Sequence, residues 1–177
     1  MNGDTVEETY TAAERLRDSL VDQAVTEGRV RTPRIEKAMR TVPRHLFAPE
    51  VPLEEAYANR TVSIKNGDDG ASISCASQPS VIGLMLEQLQ VQPGESVLEL
   101  GAGTGYNAAL LAHLTGADGR VVTLDVDDDI VEGAHSNLAT AGFSNVEVIL
   151  RDGAVGHADG APYPKIVDTV GAHGIAR

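Results

Sequence analysis

A single cysteine, Cys75, stands among 177 residues, which leaves no material for an internal disulfide framework or a cysteine-ligated zinc site. Tryptophan is missing altogether and phenylalanine occurs twice, so the aromatic platforms on which single-stranded nucleic acids stack are not expected. Positive charge is also scarce. Lys and Arg number 14 against 26 Asp and Glu, a net charge of -12, where a nucleic-acid or anionic-membrane binder gathers cations to neutralise phosphates. The longest apolar run, Val81 to Leu86, is interrupted by Gly83 and is far too short to span a bilayer. The opening MNGDTVEETY is acidic and lacks the basic start and apolar core of a signal peptide. These gaps predict a soluble, cytoplasmic protein with no nucleic-acid, membrane or metal partner.

What is present reads as an ordinary globular chain, 42% hydrophobic and 23% charged, with neither internal repeats nor low-complexity tracts. Residues 5–27 carry Val6, Tyr10, Ala13, Leu16, Leu20, Val21 and Ala24 at helical spacing. Thr5 and Glu8 suit a capping box and Gly28 suits a stop. A second helix is predicted from Thr32-Pro33, with Ile35, Met39 and Val42 turned inward and Pro43 ending it. Residues 43–64 are less regular, and 66–74 (NGDDGASIS) reads as a polar, glycine-rich loop. A helix over Pro79–Gln90 then places Val81, Ile82, Met85, Leu86 and Leu89 on one side.

From residue 96 the pattern becomes an alternation. Ser96–Leu100 reads as a strand, followed by a glycine-rich turn and a helix through Ala108, Leu111 and Leu114. Arg120–Asp125 is a second strand, Asp128–Ala141 a helix, Val146–Leu150 a third strand and Lys165–Val170 a fourth. Strand–helix alternation with apolar strands predicts an α/β fold, a parallel sheet flanked by helices with an N-terminal helical layer. We divide the chain into a helical, substrate-side region at 1–78 and an α/β core at 79–177, forming one compact domain. With nothing beyond it, the fourth strand would leave an open sheet edge, from which pairing with a second copy is expected.

The turn Glu99-Leu100-Gly101-Ala102-Gly103-Thr104-Gly105-Tyr106 lies between the first strand and its helix. Glycines there let the backbone turn sharply and bring a ligand against main-chain amides. The spacing is not the dinucleotide fingerprint G-x-G-x-x-G, and the Gly-Lys-Ser/Thr ending of a phosphate loop is missing. Asp125 ends the second strand, where a carboxylate can accept from ribose hydroxyls. Asp152, beside Gly153 after the third strand, can accept from an adenine amino group. These positions lie at one edge of one sheet and predict a nucleoside-bearing cofactor site made of Glu99, Gly101, Ala102, Gly103, Gly105, Tyr106, Asp125, Val126, Asp152 and Gly153. The histidines at 45, 113, 135, 157 and 173 are scattered and read as surface or structural. Asp127, Asp128 and Asp129 read as a helix-start cluster favoured by the dipole.

Glu99–Tyr106, an acid at the second strand end and Asp152-Gly153 together resemble the class I S-adenosylmethionine methyltransferases. Val42-Pro43-Arg44-His45-Leu46-Phe47-Ala48-Pro49-Glu50, then Ala56-Tyr57-Ala58-Asn59-Arg60, then Ser77-Gln78-Pro79, narrow the likeness to the protein-L-isoaspartate O-methyltransferases, over about residues 30–172. The stretch Asn66–Ala76 is longer than its counterpart in the repair enzymes. The wording around Gly103–Ala112 and Thr169–Ala172 is similar to an actinobacterial subgroup acting on ribosomally made peptides. Family members also continue through strands that follow the fourth.

The resemblance implies a Rossmann-like methyltransferase fold and S-adenosyl-L-methionine as cofactor, with S-adenosyl-L-homocysteine as product. It implies methyl transfer to the isoaspartyl carboxylate of a peptide or protein. Two alternatives remain open: aspartate methylation leading to an aspartimide in a ribosomally made peptide, and a non-catalytic or truncated cofactor-binding module. Ser77 corresponds to the family's acceptor-site serine, although its place before Pro79 equally suits a helix cap. Gln78 and Arg60 are further candidates on the acceptor side. A nicotinamide-dependent oxidoreductase is disfavoured by the glycine spacing.

Overall fold

The computed structural model describes residues 3–67, 70 and 72–171, with side chains from Thr11 onward. The chain begins with helices α1 (Gly3–Thr26) and α2 (Pro33–Thr41), a 3-10 turn at Arg44–Phe47 and the short helix α3 (Leu53–Ala56). The capping box read at Thr5 and Glu8 falls on side chains outside the described residues. Pro33 opens α2 as expected, but Thr32 makes no side-chain cap. Its amide and hydroxyl, with the Arg31 amide, are instead all accepted by the Glu87 carboxylate at 2.6 Å.

Residues 66–74 are not simply a loop. Strands β1 (Val62–Asn66) and β2 (Ser72–Ala76) form an antiparallel hairpin in which Val62 pairs with Ala76 and Ser63 with Cys75. The serines of β2 conceal it in the sequence, because a strand with one half-buried face and no apolar alternation gives no period-2 signal. One cross-strand hydroxyl bond helps to hold it, between Ser63 Oγ and Ser72 Oγ at 2.9 Å.

Helix α4 (Pro79–Leu89) leads into the core, where β3 (Ser96–Leu100), α5 (Tyr106–Thr115), β4 (Arg120–Asp125), α6 (Asp128–Thr140), β5 (Val146–Leu150) and β6 (Lys165–Asp168) alternate. The inward face of α4 is Ile82 and Leu86. Val81, expected on that face, is 44% exposed. The sheet is parallel with order β5-β4-β3-β6. Strands β3, β4 and β5 build outward in one direction, and the chain then crosses back to lay β6 on the other side of β3. That reversal opens a crevice at the carboxyl end of β3, the place where open α/β sheets bind ligands. The fourth core strand ends at Asp168, two residues earlier than read from the sequence. Among the described residues it pairs only with β3.

One apolar cluster runs from Val21, Met39 and Phe47 through Ile82 and Leu86 to Val97, Leu110, Leu111 and Val121. It joins the helical layer to the sheet and so fixes the N-terminal elements over the crevice. Each such large side chain contributes about 1.5–3 kcal/mol by its burial. Among the described residues no helix is long and apolar enough to cross a membrane.

Candidate functional site

The turn after β3 is built on positive backbone angles at Gly101 (φ 98), Gly103 (φ 51) and Gly105 (φ 86). A Cβ at Gly101 would also overlap the side chains of Val170 and Thr169, so both conformation and space require glycine there. The amides of Gly101 and Ala102 donate to Leu124 O at 2.8 and 3.0 Å, tying the turn to the end of β4. Thr169 Oγ1 donates to Leu100 O at 2.9 Å and Gly101 O at 2.8 Å from the other side.

Asp125 stands where β4 ends. Its Oδ1 accepts from the amides of Val126 (2.9 Å) and Asp127 (3.3 Å), and its Oδ2 from Gly103 (3.3 Å). The strand terminus thereby orients this carboxylate towards the glycine turn. Glu99, on β3, is fully buried. Its Oε1 accepts from Asn107 Nδ2 at 2.7 Å, while Oε2 is buried without a hydrogen-bond partner. Burial pushes the Glu99 carboxyl up to about 7, only partly offset by Thr123 and Asn107, with Asp125 adding to the rise. Thr123, which pairs with Glu99 across the sheet, has a buried hydroxyl that likewise makes no hydrogen bond of good geometry, and it is the protein group beside this carboxylate.

These groups face a cavity of about 280 Å³. Its floor is Glu99, Gly101–Gly103, Thr104, Tyr106 and Asp125, and its opposite wall is β2, from Ser72 to Ala76, continuing into Ser77. Arg44, Ile82, Met85, Asn107 and residues 169–171 complete the lining. Cys75, read as a loop residue, is therefore an exposed strand residue beside the cavity. The hairpin is held over the crevice by Lys65 Nζ, which pairs with Asp127 Oδ2 at 2.6 Å and Asp129 Oδ2 at 3.2 Å. Two acids of the helix-start cluster thus have a specific partner that no local pattern announces.

Several expected residues do not reach this cavity. Gly105 packs instead against α6, where a Cβ would lie 3.1 Å from Leu138 Cγ. Val126 is 69% exposed. The exposed Asp152 accepts from the amide of Ala154 at 2.9 Å, and Gly153 packs against Leu100. Gln78 occupies the N-cap position of α4 without a side-chain cap. Arg60 is exposed and paired with Glu55 at 3.1 Å.

The cap reading of Ser77 is overturned. Gln78 precedes the helix, and the free amide of Ser80 is satisfied by Asn59 Oδ1 at 3.1 Å. The Ser77 hydroxyl makes no hydrogen bond among the described residues and borders the cavity. Sequence reasoning assigned no role to Arg44. It is 1% exposed, donating through Nε to Ala56 O at 2.8 Å and through Nη2 to Ser77 O at 3.0 Å. Its Cζ lies 4.8 Å from the centre of the Tyr106 ring. Its position inside Pro43-Arg44-His45 carries no periodicity that would signal burial.

The sequence model of the protein-L-isoaspartate(D-aspartate) O-methyltransferases matches residues 14–177. The chain is 38% identical over 159 residues to a protein-L-isoaspartate O-methyltransferase of Methanopyrus kandleri, covering 89% of this chain and 68% of that one. A second enzyme of that name, from Archaeoglobus fulgidus, is 38% identical over 144 residues, covering 81% and 63%. A solved protein-L-isoaspartate O-methyltransferase structure superposes with a TM-score of 0.79 at 33% identity, over 88% of this chain and 48% of that chain. A Plasmodium falciparum structure in complex with S-adenosyl-L-homocysteine shares the fold, with a TM-score of 0.68 at 19% identity, over 81% and 66%. The chain therefore spans about half to two thirds of the length of these relatives. The matched span and the identity to these relatives lead to one assignment: the chain belongs to the protein-L-isoaspartate(D-aspartate) O-methyltransferase family.

Proposed function

We propose that this protein binds S-adenosyl-L-methionine in the crevice at the end of β3 and methylates the side-chain carboxylate of an L-isoaspartyl residue in a peptide or protein. The observation that carries the reading is that Glu99, Asp125 and the Gly101–Gly103 backbone share one cavity with Ser77. Nucleoside-binding groups and a free hydroxyl donor are thereby brought within a single small volume.

The residues fit such a cofactor. Asp125 spends three of roughly four carboxylate acceptor positions on amides, which leaves capacity for a ribose hydroxyl. The Glu99 carboxylate, among the residues that line the cavity, adds an acidic group that suits a cationic or hydroxyl-bearing ligand. Glycine at 101 and 103 keeps side chains off the backbone that the ligand approaches. When bound, the sulfonium supplies an electrophilic methyl group, and an acceptor carboxylate is already ionised at neutral pH. The protein's task is therefore alignment and exclusion of water, effects worth about 7–11 kcal/mol when geometry is well set. In this reading Ser77 donates to one carboxylate oxygen and directs the other towards the cofactor side. The walls from β2 and α4 shield the reacting groups. No general base is required, because the acceptor carboxylate carries no proton to be removed.

An exposed thiol at Cys75 suits a reducing compartment, and we place the protein in the cytoplasm. Calorimetric titration with S-adenosyl-L-homocysteine and with NAD, followed by methyl-transfer assays on isoaspartyl and aspartyl peptides, tests the reading. Transfer to the isoaspartyl peptide with no NAD binding supports it. Transfer to the aspartyl peptide alone would favour peptide tailoring, and binding without transfer would indicate a non-catalytic module.

A further inference from the structure

Burying a guanidinium is costly unless an acid pairs with it, and this chain has acids in excess. Arg40 meets Asp18, Asp22 and Glu36; Arg60 meets Glu55; Lys65 meets Asp127 and Asp129; Arg120 meets Glu147. Arg44 is the most completely buried of these cations and has no carboxylate within ion-pair distance among the described residues. Two carbonyls and the face of Tyr106 are its partners, and Nη1 is buried with none. Burial presses the guanidinium below its ordinary pKa, as expected for a charge taken from water without a counterion.

The location of this unmatched charge is informative. Arg44 is the one cation among the described residues lining the cavity, where the other charged groups are the acids Glu99 and Asp125. Its Nη2 holds the main chain of Ser77, and its Cζ lies over the ring of Tyr106, the first residue of the helix that follows the glycine turn. One side chain thus links the acceptor wall to the cofactor floor. It also places a positive charge inside a protein whose net charge of -12 repels anions. Arg60, the acceptor-side cation read from the sequence, is exposed and paired with Glu55.

We infer that Arg44 is a positioning residue for an anionic acceptor: it fixes the Ser77 turn against Tyr106 and supplies the positive charge that draws a carboxylate into the cavity. This inference rests on the carboxylate-methylating reading above, and its test separates the two. The 177-residue chain, saturated with S-adenosyl-L-homocysteine, is titrated with a short peptide carrying one isoaspartyl residue and with the same peptide carrying the uncharged isoasparaginyl amide. The wild-type chain should prefer the carboxylate. Arg44→Met, also saturated with S-adenosyl-L-homocysteine, should lower that preference by about tenfold, equivalent to about 1.4 kcal/mol. Arg44→Lys, which keeps the charge but not the planar fork, should recover part of the preference while lowering the methyl-transfer rate.

A folded Arg44→Met variant with its carboxylate preference intact overturns the inference, as does a wild-type chain without any preference. If Arg44→Met does not fold, Arg44→Lys decides: a folded variant with unaltered preference and rate overturns it. Failure of both variants to fold assigns Arg44 to stability alone and overturns it too. A wild-type chain that prefers the carboxylate but transfers no methyl group sinks the proposed activity and leaves the role of Arg44 standing.

Discussion

Replacing Asp125 tests the cofactor assignment most directly. The carboxylate accepts three amides, of which only the Val126 bond is short at 2.9 Å; those from Gly103 and Asp127 are both 3.3 Å. In Asp125→Ala the three amides stand at a partly exposed strand end and regain water. The cost to folding should therefore be about 1 kcal/mol, a fall in Tm of about 2–4 °C for a chain of this size. Binding should suffer more. A hydrogen bond from a ribose hydroxyl to an ionised carboxylate contributes about 1.5–3 kcal/mol, so affinity for S-adenosyl-L-homocysteine should drop about ten- to 150-fold. Asp125→Asn keeps an oxygen that can accept the Val126 amide but loses the charge, and should fall between wild type and Asp125→Ala. Isothermal titration of the three proteins, with Tm recorded alongside, provides both numbers. An Asp125→Ala protein that melts near the wild type and binds the product with unchanged affinity would refute the placement of the nucleoside at this strand end.

Ser77→Ala should reduce methyl transfer about tenfold or more, as expected for loss of a contact made in the transition state. Its Tm and product affinity should stay near wild type, because the α4 amide is served by Asn59 and not by Ser77; a clear stability loss would restore the cap role. The carboxyl of Glu99, pushed up to about 7 by burial, holds its proton more tightly in the folded chain than in the unfolded one. Its contribution to stability is accordingly complete below the ordinary carboxyl range and is lost as pH rises to about 7. Glu99→Gln should flatten this part of the Tm–pH profile, and identical slopes in variant and wild type would count against a buried, protonatable Glu99. Lys65→Met removes the bond from the hairpin to Asp127 and Asp129 and should speed amide exchange in β2 severalfold. Raised salt should do the same to the wild type because exposed ion pairs are screened; exchange insensitive to both would show that the hairpin is held by other contacts.

The α/β core was legible in the linear chain because each of its elements is a local matter. Apolar runs at 96–100 and 120–125, glycine at 101 and 103, and an acid closing the second run need only neighbouring residues to take effect. Short-range sterics force the turn, and the alternation of strand and helix leaves a parallel sheet as the way to bury both faces. Even so, the reversal that opens the crevice appears only once β6 is found beside β3, because strand order is settled by long-range packing. The hairpin wall stayed hidden for a related reason. Ser72–Ala76 has no strand periodicity of its own, and its conformation depends on a ladder to β1 and on Lys65 reaching Asp127, 62 residues away. Arg44 is the sharpest case. Nothing in Pro-Arg-His distinguishes a solvated arginine from a buried one, since its environment is assembled from Ala56, Ser77 and Tyr106. Local chemistry thus specified the turn and its acids, whereas the charge and shape of the opposite wall arose only when separate segments were packed together, because burial and pairing are properties of the whole fold.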